Sequence, residues 1–463
     1  MFNKKVFMRI KGCYFIYFSF ILMLRAIGPY LLLPTKYDTL LFWPAGIFGC
    51  FLIVIDFIIG FREKKLRKYD WLLYSFLGAM LISSLMNLEY GYSQNIKLLM
   101  WQAIFFFIVY QFGKDYGANF FFKLFGWLIS IVWFINNTIS LYMFIIQYGV
   151  KIPIQYKYYP VRLGWLGNRL FGIYTDPNFG AVISFVVILI SIYYLITKTS
   201  MHLLLKTFII LNITIQFSFI ALSGSRTTLV CMLIVTFVFA FFSFFSSKYL
   251  KNKIIYKWIV SFLIGCVSML GVYTLNYVTA NGWAYVPTIT HLKNVNDPNK
   301  SNNSNQKVPP KEKVNLDRPD TEGGDISNLR FQLWASAVEI FKSNPMSGGS
   351  PGYYIQYAHD KLPHTFMGKD NLTAHSFIFL IMAATGGLGL ITFFCFFFIQ
   401  CYKTLRYCFT RNDLVKDEVF FDILIMLTIV VSALFITELV LVSTIGSFVF
   451  WSHLGKIQKK ISE

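Results

Sequence analysis

The stretch AHSFIFLIMAATGGLGLITFFCFFFIQC, residues 374–401, carries no Asp, Glu, Lys or Arg and exceeds the ~20 residues that a helix needs to cross a bilayer. It reads as a membrane span, opened by Ala374-His375-Ser376 and interrupted by Gly386-Gly387-Leu388-Gly389. Working outward, comparable runs recur at Tyr14–Leu33, Leu40–Ile59, Trp71–Met86, Leu98–Phe112, Leu124–Gln147, Phe179–Ile196, Thr207–Ala221, Thr228–Phe245, Trp258–Val278, Phe421–Ile436 and Leu439–Trp451. That makes about twelve spans, and an all-α polytopic membrane protein. Composition agrees, at 56% hydrophobic and 14% charged residues.

An even span count puts both termini on one side, and the basic residues say which. Lys4, Lys5, Arg9 and Lys11 precede the first span, and Arg62, Lys64, Lys65, Arg67 and Lys68 follow the second. Lys248, Lys251, Lys253 and Lys257 follow the eighth, Lys403, Arg406, Arg411 and Lys416 the tenth, and Lys456, Lys459 and Lys460 the last. The positive-inside rule makes these flanks cytoplasmic, so both termini are expected inside and the net charge of +20 is mostly topological. Charge divided among short loops argues against a nucleic-acid partner.

The first span is too long for a cleaved signal peptide and is expected to stay as an anchor. The seven cysteines form no CxxC pair and lie in or beside spans or on the inner side, which predicts no disulfide framework. The chain then divides into a membrane domain at 1–278 with helices 1–9, an extracytoplasmic loop at 279–373, and a membrane domain at 374–463 with helices 10–12.

Two outer loops are long, Tyr148–Asn178 and Thr279–Thr373, and function is expected there. Residues 294–325 are rich in Asn, Lys, Pro, Asp and Ser and read as a flexible insert. After it, Phe331, Trp334, Val338 and Phe341 fall at helical spacing, which predicts an amphipathic helix over 328–343, with Ser327 as N-cap and Asn344-Pro345 as the stop. Gly348-Gly349-Ser350-Pro351-Gly352 lacks the Lys-Ser/Thr ending of a phosphate-binding loop and reads as a sharp turn. His359 and His364, with no HExxH or carboxylate cluster beside them, read as surface residues and not as a metal site.

Polar groups at the outer ends of apolar helices are costly to keep dry and are functional candidates. Four places qualify: Gly167-Asn168-Arg169-Leu170-Phe171-Gly172 followed by Asp176-Pro177-Asn178; Leu222-Ser223-Gly224-Ser225-Arg226; Arg330 with Trp334; and Ala374-His375-Ser376. Arginines bind phosphate oxygens in a bidentate way, which suits a diphosphate-bearing substrate. His375 can take a proton from a hydroxyl nucleophile near neutral pH. No Asp-x-Asp pair of the kind that holds a metal–diphosphate complex occurs in the outer loops. Asp56 and Glu438 stand as isolated acids, fewer than an ion-coupled transporter would want.

Taken in order, these motifs resemble the O-antigen ligase and polysaccharide polymerase superfamily of bacterial envelope enzymes, over roughly Gly164 to Phe394. The resemblance implies a fold-C-type glycosyltransferase with a large outer loop between helices 9 and 10, multi-pass in the bacterial cytoplasmic membrane with its active site facing outward. It implies an undecaprenyl-diphosphate-linked glycan donor and acceptor, metal-independent inverting transfer, no cofactor, and a flippase and a chain-length regulator as partners. By this resemblance the catalytic set is His375, Arg226 and Arg330, with Arg169, Asp176, Asn178 and Ser225 binding substrate. Ser376 stands where family members often have asparagine. The leading expectation is a polymerase of capsule, exopolysaccharide or O-antigen repeat units. The alternatives are a ligase delivering finished glycan to lipid A core or protein, and a non-catalytic solute or lipid transporter.

Overall fold

The computed structural model describes residues 4–62, 70–115, 119–154, 160–198, 200–247, 254–289, 313–318 and 329–462. It is mostly helical. The long helices are α1 (Lys4–Arg25), α2 (Thr35–Arg62), α3 (Trp71–Met86), α4 (Tyr92–Lys114), α5 (Asn119–Ile145), α6 (Pro177–Thr197), α7 (Leu203–Ser223), α8 (Arg226–Phe245) and α9 (Ile254–Ala284). After the loop region come α10 (Arg330–Ser343), α11 (Tyr354–Lys361), α12 (Phe377–Thr410), α13 (Glu418–Ala433) and α14 (Ile445–Ser462).

Among the described residues nine helices are long and apolar enough to cross a membrane. The other three expected spans fall on shorter or more polar helices: α3 and α13, of 16 residues each, and α14, whose last turn carries Lys459 and Lys460 and which begins only at Ile445, so that residues 439–444 of the last expected span are not helical. The apolar residues face both ways. Phe15 packs inside against Phe112, Phe122, Phe125 and Phe448. Ile47 on α2 and Val267 on α9, by contrast, are 66% and 68% exposed. A helix apolar on every face but uncovered by protein is stable when lipid covers it.

Two basic flank residues are not lipid-facing. Lys11 lies buried between Asp56 at 3.5 Å and Asp115 at 2.8 Å, which accounts for the isolated acid of the second span. Lys456 is buried against Glu418 at 2.6 Å and Asp422 at 2.9 Å, and His453 Nδ1 meets Asp422 at 2.8 Å. These pairs satisfy charges that would be expensive alone in an apolar interior.

The segment expected as a plain outer loop at 148–178 contains a small antiparallel sheet in the order β1 (Gly149–Ile152), β2 (Val161–Leu166), β3 (Arg169–Gly172). Its strands are too short and too irregular in alternation to stand out against the neighbouring spans. Below it, a buried polar network joins three helices. Asn137 on α5 donates to Ser184 on α6 and to Gln216 on α7, and Tyr174 Oη donates to Asn137 Oδ1 at 2.7 Å. This network fixes the depth at which the chain enters α6.

Much of the expected insert, residues 294–312 and 319–325, and with it Ser327 and His291, lies outside the described residues. The described part, 313–318, has no regular secondary structure but is bonded: Val314 N donates to Ala284 O at 3.0 Å, Asn168 Nδ2 to Asp317 O at 2.6 Å, and Arg318 Nη1 to Gly224 O at 2.9 Å. Helix α10 begins after Leu329, whose φ is +67° and whose side chain caps nothing.

The glycine-rich turn and the glycines of α12 belong to one device. Helix α12 breaks at Gly386, at φ 62° and ψ −157°. The carbonyls freed there are taken by other segments, Ala383 O by Gly349 N at 2.8 Å and Ala384 O by Ser83 Oγ at 2.9 Å. Gly387 N in turn donates to Pro345 O at 2.7 Å. The backbone N–H groups of Gly348, Gly349 and Gly352 are spent on Asn344 O, Ala383 O and Asn95 Oδ1, so the turn serves packing and not phosphate binding. A Cβ at residue 386 would stand 2.6 Å from Gly348 N in a left-handed conformation. Gly386→Ala is therefore expected to cost at least about 2 kcal/mol and to lower the melting temperature in detergent. An unchanged melting curve would refute this account of the break.

Candidate functional site

The four sequence motifs meet at one end of the bundle, where α6, α8, α10 and α12 begin. The entry to α6 is set by Asp176, which caps the helix by accepting Asn178 N at 2.7 Å, with Pro177 in the first turn. Helix α7 ends at Gly224 in the left-handed conformation, which lets the chain reverse at once into α8. Ser225 caps α8 by accepting Thr228 N at 3.2 Å, leaving Arg226 as the first residue of the helix.

Three of the sequence candidates bond to one another. Arg169 donates from Nε to Ser223 O at 2.7 Å and from Nη2 to Asn178 Oδ1 at 2.6 Å, and Ser225 Oγ donates to the same Asn178 oxygen at 3.0 Å. Arg169, Asn178 and Ser225 thus tie β3, the start of α6 and the α7–α8 reversal together.

The other four gather around Arg330, which feels the charges of Arg226 and Asp176 and acts in turn on His375. Arg330 is pushed below its ordinary value first by burial and then by Arg226, with Arg318 acting the same way and Asp176 against. Crowded guanidinium groups repel unless an anion sits among them, so this arrangement is suited to receive one. Arg330 also lies over the Phe435 ring, 5.6 Å from its centre. Trp334, one turn along α10, stacks on Phe379 of α12 with ring centres 5.0 Å apart. That contact holds the helix carrying Arg330 against the helix that follows His375.

His375 precedes α12, which begins at Phe377 and not at Ala374. Its φ is +46°, a left-handed conformation that costs energy for any residue with a Cβ. Burial holds its imidazole below the ordinary 6.5, Asp176 opposing and Arg330 reinforcing. The neutral form, able to accept a proton, is the one the surroundings favour.

Two groups at this site received no role from the sequence. Arg318 sits inside the segment that composition marks as an insert, and only its bond to Gly224 O reveals its place. Glu438 is isolated in sequence, yet it is fully buried and feels the charge of Asp176. Of the loop histidines, His359 has both ring nitrogens hydrogen-bonded, to Gly368 O at 2.8 Å and Asn371 Oδ1 at 3.0 Å. Among the described residues no group of three or more His, Cys, Asp or Glu could hold a metal ion.

The fold, with nine described helices long and apolar enough to cross a membrane, defines a multi-pass membrane protein, and at one end of it arginines and a histidine gather around Asp176. Residues 211–394 match the family model described as O-antigen ligase, in line with the resemblance that the sequence motifs carry. The matched segment includes Arg226, Arg318, Arg330 and His375; Arg169, Asp176, Asn178 and Glu438 lie outside it. No curated protein matches the chain.

Proposed function

We propose that the protein is a polymerase of undecaprenyl-diphosphate-linked oligosaccharide repeat units, acting on the outer face of a bacterial cytoplasmic membrane. The observation that carries this reading is the convergence of Arg226, Arg318 and Arg330 around Asp176 and His375. In the proposed step, an acceptor sugar hydroxyl gives its proton to the His375 imidazole as its oxygen bonds to the anomeric carbon of the donor. The bond from that carbon to the diphosphate oxygen breaks in the same displacement, inverting the centre. The lipid diphosphate leaves as an anion facing the arginines, so no general acid and no metal is required. Asp176 offsets the imidazolium that forms.

An apolar cavity of about 320 Å³ supports the lipid part of the reading. It is lined by Phe185, Ile213, Met232, Phe239 and Val272, among others, between α6, α7, α8 and α9. At 1.5 Å per residue these positions lie about 10–20 Å along α6 and α8 from Asp176 and Arg226, a distance suited to the first units of a prenyl chain.

The description of the matched family favours a second reading, a ligase that moves finished glycan to another acceptor. The two readings separate on gels of lipid-linked glycan from a deletion strain. Single repeats are the expected result for a polymerase, with the flippase and chain-length regulator of such a pathway still present. Full-length, unattached polymer would replace that reading with the ligase.

A further inference from the structure

We propose that the end of the bundle opposite the arginine site holds a second binding site, a cavity that takes a phosphate diester carrying a hydroxyl, the headgroup chemistry of phosphatidylglycerol. In the orientation proposed above this is the cytoplasmic end; the site stands on its own geometry and not on the diphosphate reading.

Helix α6 joins the two ends, with Asp176 capping its start and Lys198 just past its end. Its 21 residues, at 1.5 Å each, separate them by about 30 Å. There the last turns of α6 face the first turns of α5 and α13 and the middle of α14 around a cavity of about 200 Å³. That is smaller than the roughly 300–1,000 Å³ of a pocket that encloses a drug-sized ligand, and suits a headgroup whose acyl chains stay outside. Gly126 on α5 leaves part of this space open: the nearest atom that a Cβ there would meet is Ile190 Cγ2, at 3.9 Å.

The polar wall contains a buried group with bonding capacity left over. His453 lines the cavity, is only 6% exposed, and meets Asp422 Oδ1 through Nδ1 at 2.8 Å. Lys456 holds Asp422 Oδ2 at 2.9 Å, so Asp422 acts as a carboxylate and accepts, and the His453 proton on that side lies on Nδ1. The other ring nitrogen, Nε2, is buried and has no hydrogen-bond partner among the described residues. A buried polar atom left unbonded is costly, and a ligand group bonded to it recovers that cost. A hydroxyl, both donor and acceptor, satisfies Nε2 in either protonation state of the ring.

The phosphate is assigned to the opening. Basic side chains outnumber acids on the walls, with Lys123, Lys198 and Lys456 against Glu418 and Asp422. Both acids are bonded to Lys456. Lys123 on α5 and Lys198 after α6 are exposed, and neither is in an ion pair among the described residues. Two such ammonium groups beside a buried imidazole match an anionic diester with a hydroxyl beyond it.

The test is titration of the purified full chain in detergent with phosphatidylglycerol and with phosphatidylmethanol, a diester of the same charge without the headgroup hydroxyls, read by native mass spectrometry. We expect phosphatidylglycerol to bind about tenfold or more tightly than phosphatidylmethanol, the effect of one buried hydrogen bond. Gly126→Leu, which fills the cavity without touching its charges, should abolish that preference. Equal binding of the two lipids by the wild type, or a preference that survives Gly126→Leu, overturns the proposal. Should Gly126→Leu not fold, the double substitution Lys123→Ala and Lys198→Ala, at exposed positions, should weaken both lipids about tenfold, and unchanged affinity counts against the site. Glycerol 3-phosphate separates the two sources of this chemistry. No competition with phosphatidylglycerol at equal concentration supports the lipid, whereas full competition overturns it in favour of a soluble phosphate ester.

Discussion

His375→Ala is expected to lower glycan transfer by about 10²–10⁴-fold while leaving the protein folded and able to bind the lipid diphosphate. The loss follows from removing the base of the proposed step; the arginines that receive the leaving group remain. Replacement relieves a left-handed backbone strain as little as it adds any, because alanine also carries a Cβ, so the variant reports chemistry and not folding. The wild-type pH profile provides a second reading of the same group. Burial holds the imidazole below 6.5, so it is neutral and competent at neutral pH. The limb of activity due to this group should then lie on the acid side, at a midpoint below 6.5, as the imidazole gains a proton and can no longer accept one. An acid limb at or above that value, or polymer of normal length from His375→Ala, would remove His375 from the mechanism.

Arg226→Ala is expected to reduce transfer by about 10²–10³-fold, the loss typical of removing one group that stabilises charge in a transition state. Arg226 is the first residue of α8, fixed between the Ser225 cap and the helix, so its backbone position does not depend on its side chain. The effect should therefore appear in turnover and donor affinity, with little change in melting temperature. Arg226→Lys should recover only part of the activity, because an ammonium group offers a point charge where a guanidinium offers a planar fork. Full activity in the lysine variant would show that charge alone is used there; full activity in the alanine variant would displace Arg226 from the site.

Much of this architecture was legible in the sequence because the signals are of the strong kind. Most of the expected apolar runs fall on helices, although the run at Leu439–Trp451 becomes helical only at Ile445 and the first run outlasts its helix, which ends at Arg25; the positions of Asp176, Ser225 and Arg226 at helix starts fit ordinary cap chemistry. What stayed hidden depends on long-range pairing. The three strands between Gly149 and Gly172 are short, and the partners that justify them are not local. Gly348-Gly349 reads as a turn, but nothing in the sequence announces that it fills a break at Gly386. Arg318 was obscured by the composition around it. Glu438 shows why a lone acid in an apolar chain is hard to weigh: nothing in the residues around it announces that it is fully buried.

The interlock at Gly386 has a mechanical consequence. Backbone bonds join the segment after α10 to the broken helix α12, and Trp334 on Phe379 adds a stacked contact between the two helices. Arg330 and His375 are in effect mounted on one jaw, whereas Arg226 and Asp176 are mounted on the other, at the tops of α8 and α6. The lipid-linked sugar chain proposed as substrate would lie between these two mounts. Its entry and exit should widen the gap between the jaws, with the spacing within each jaw unchanged.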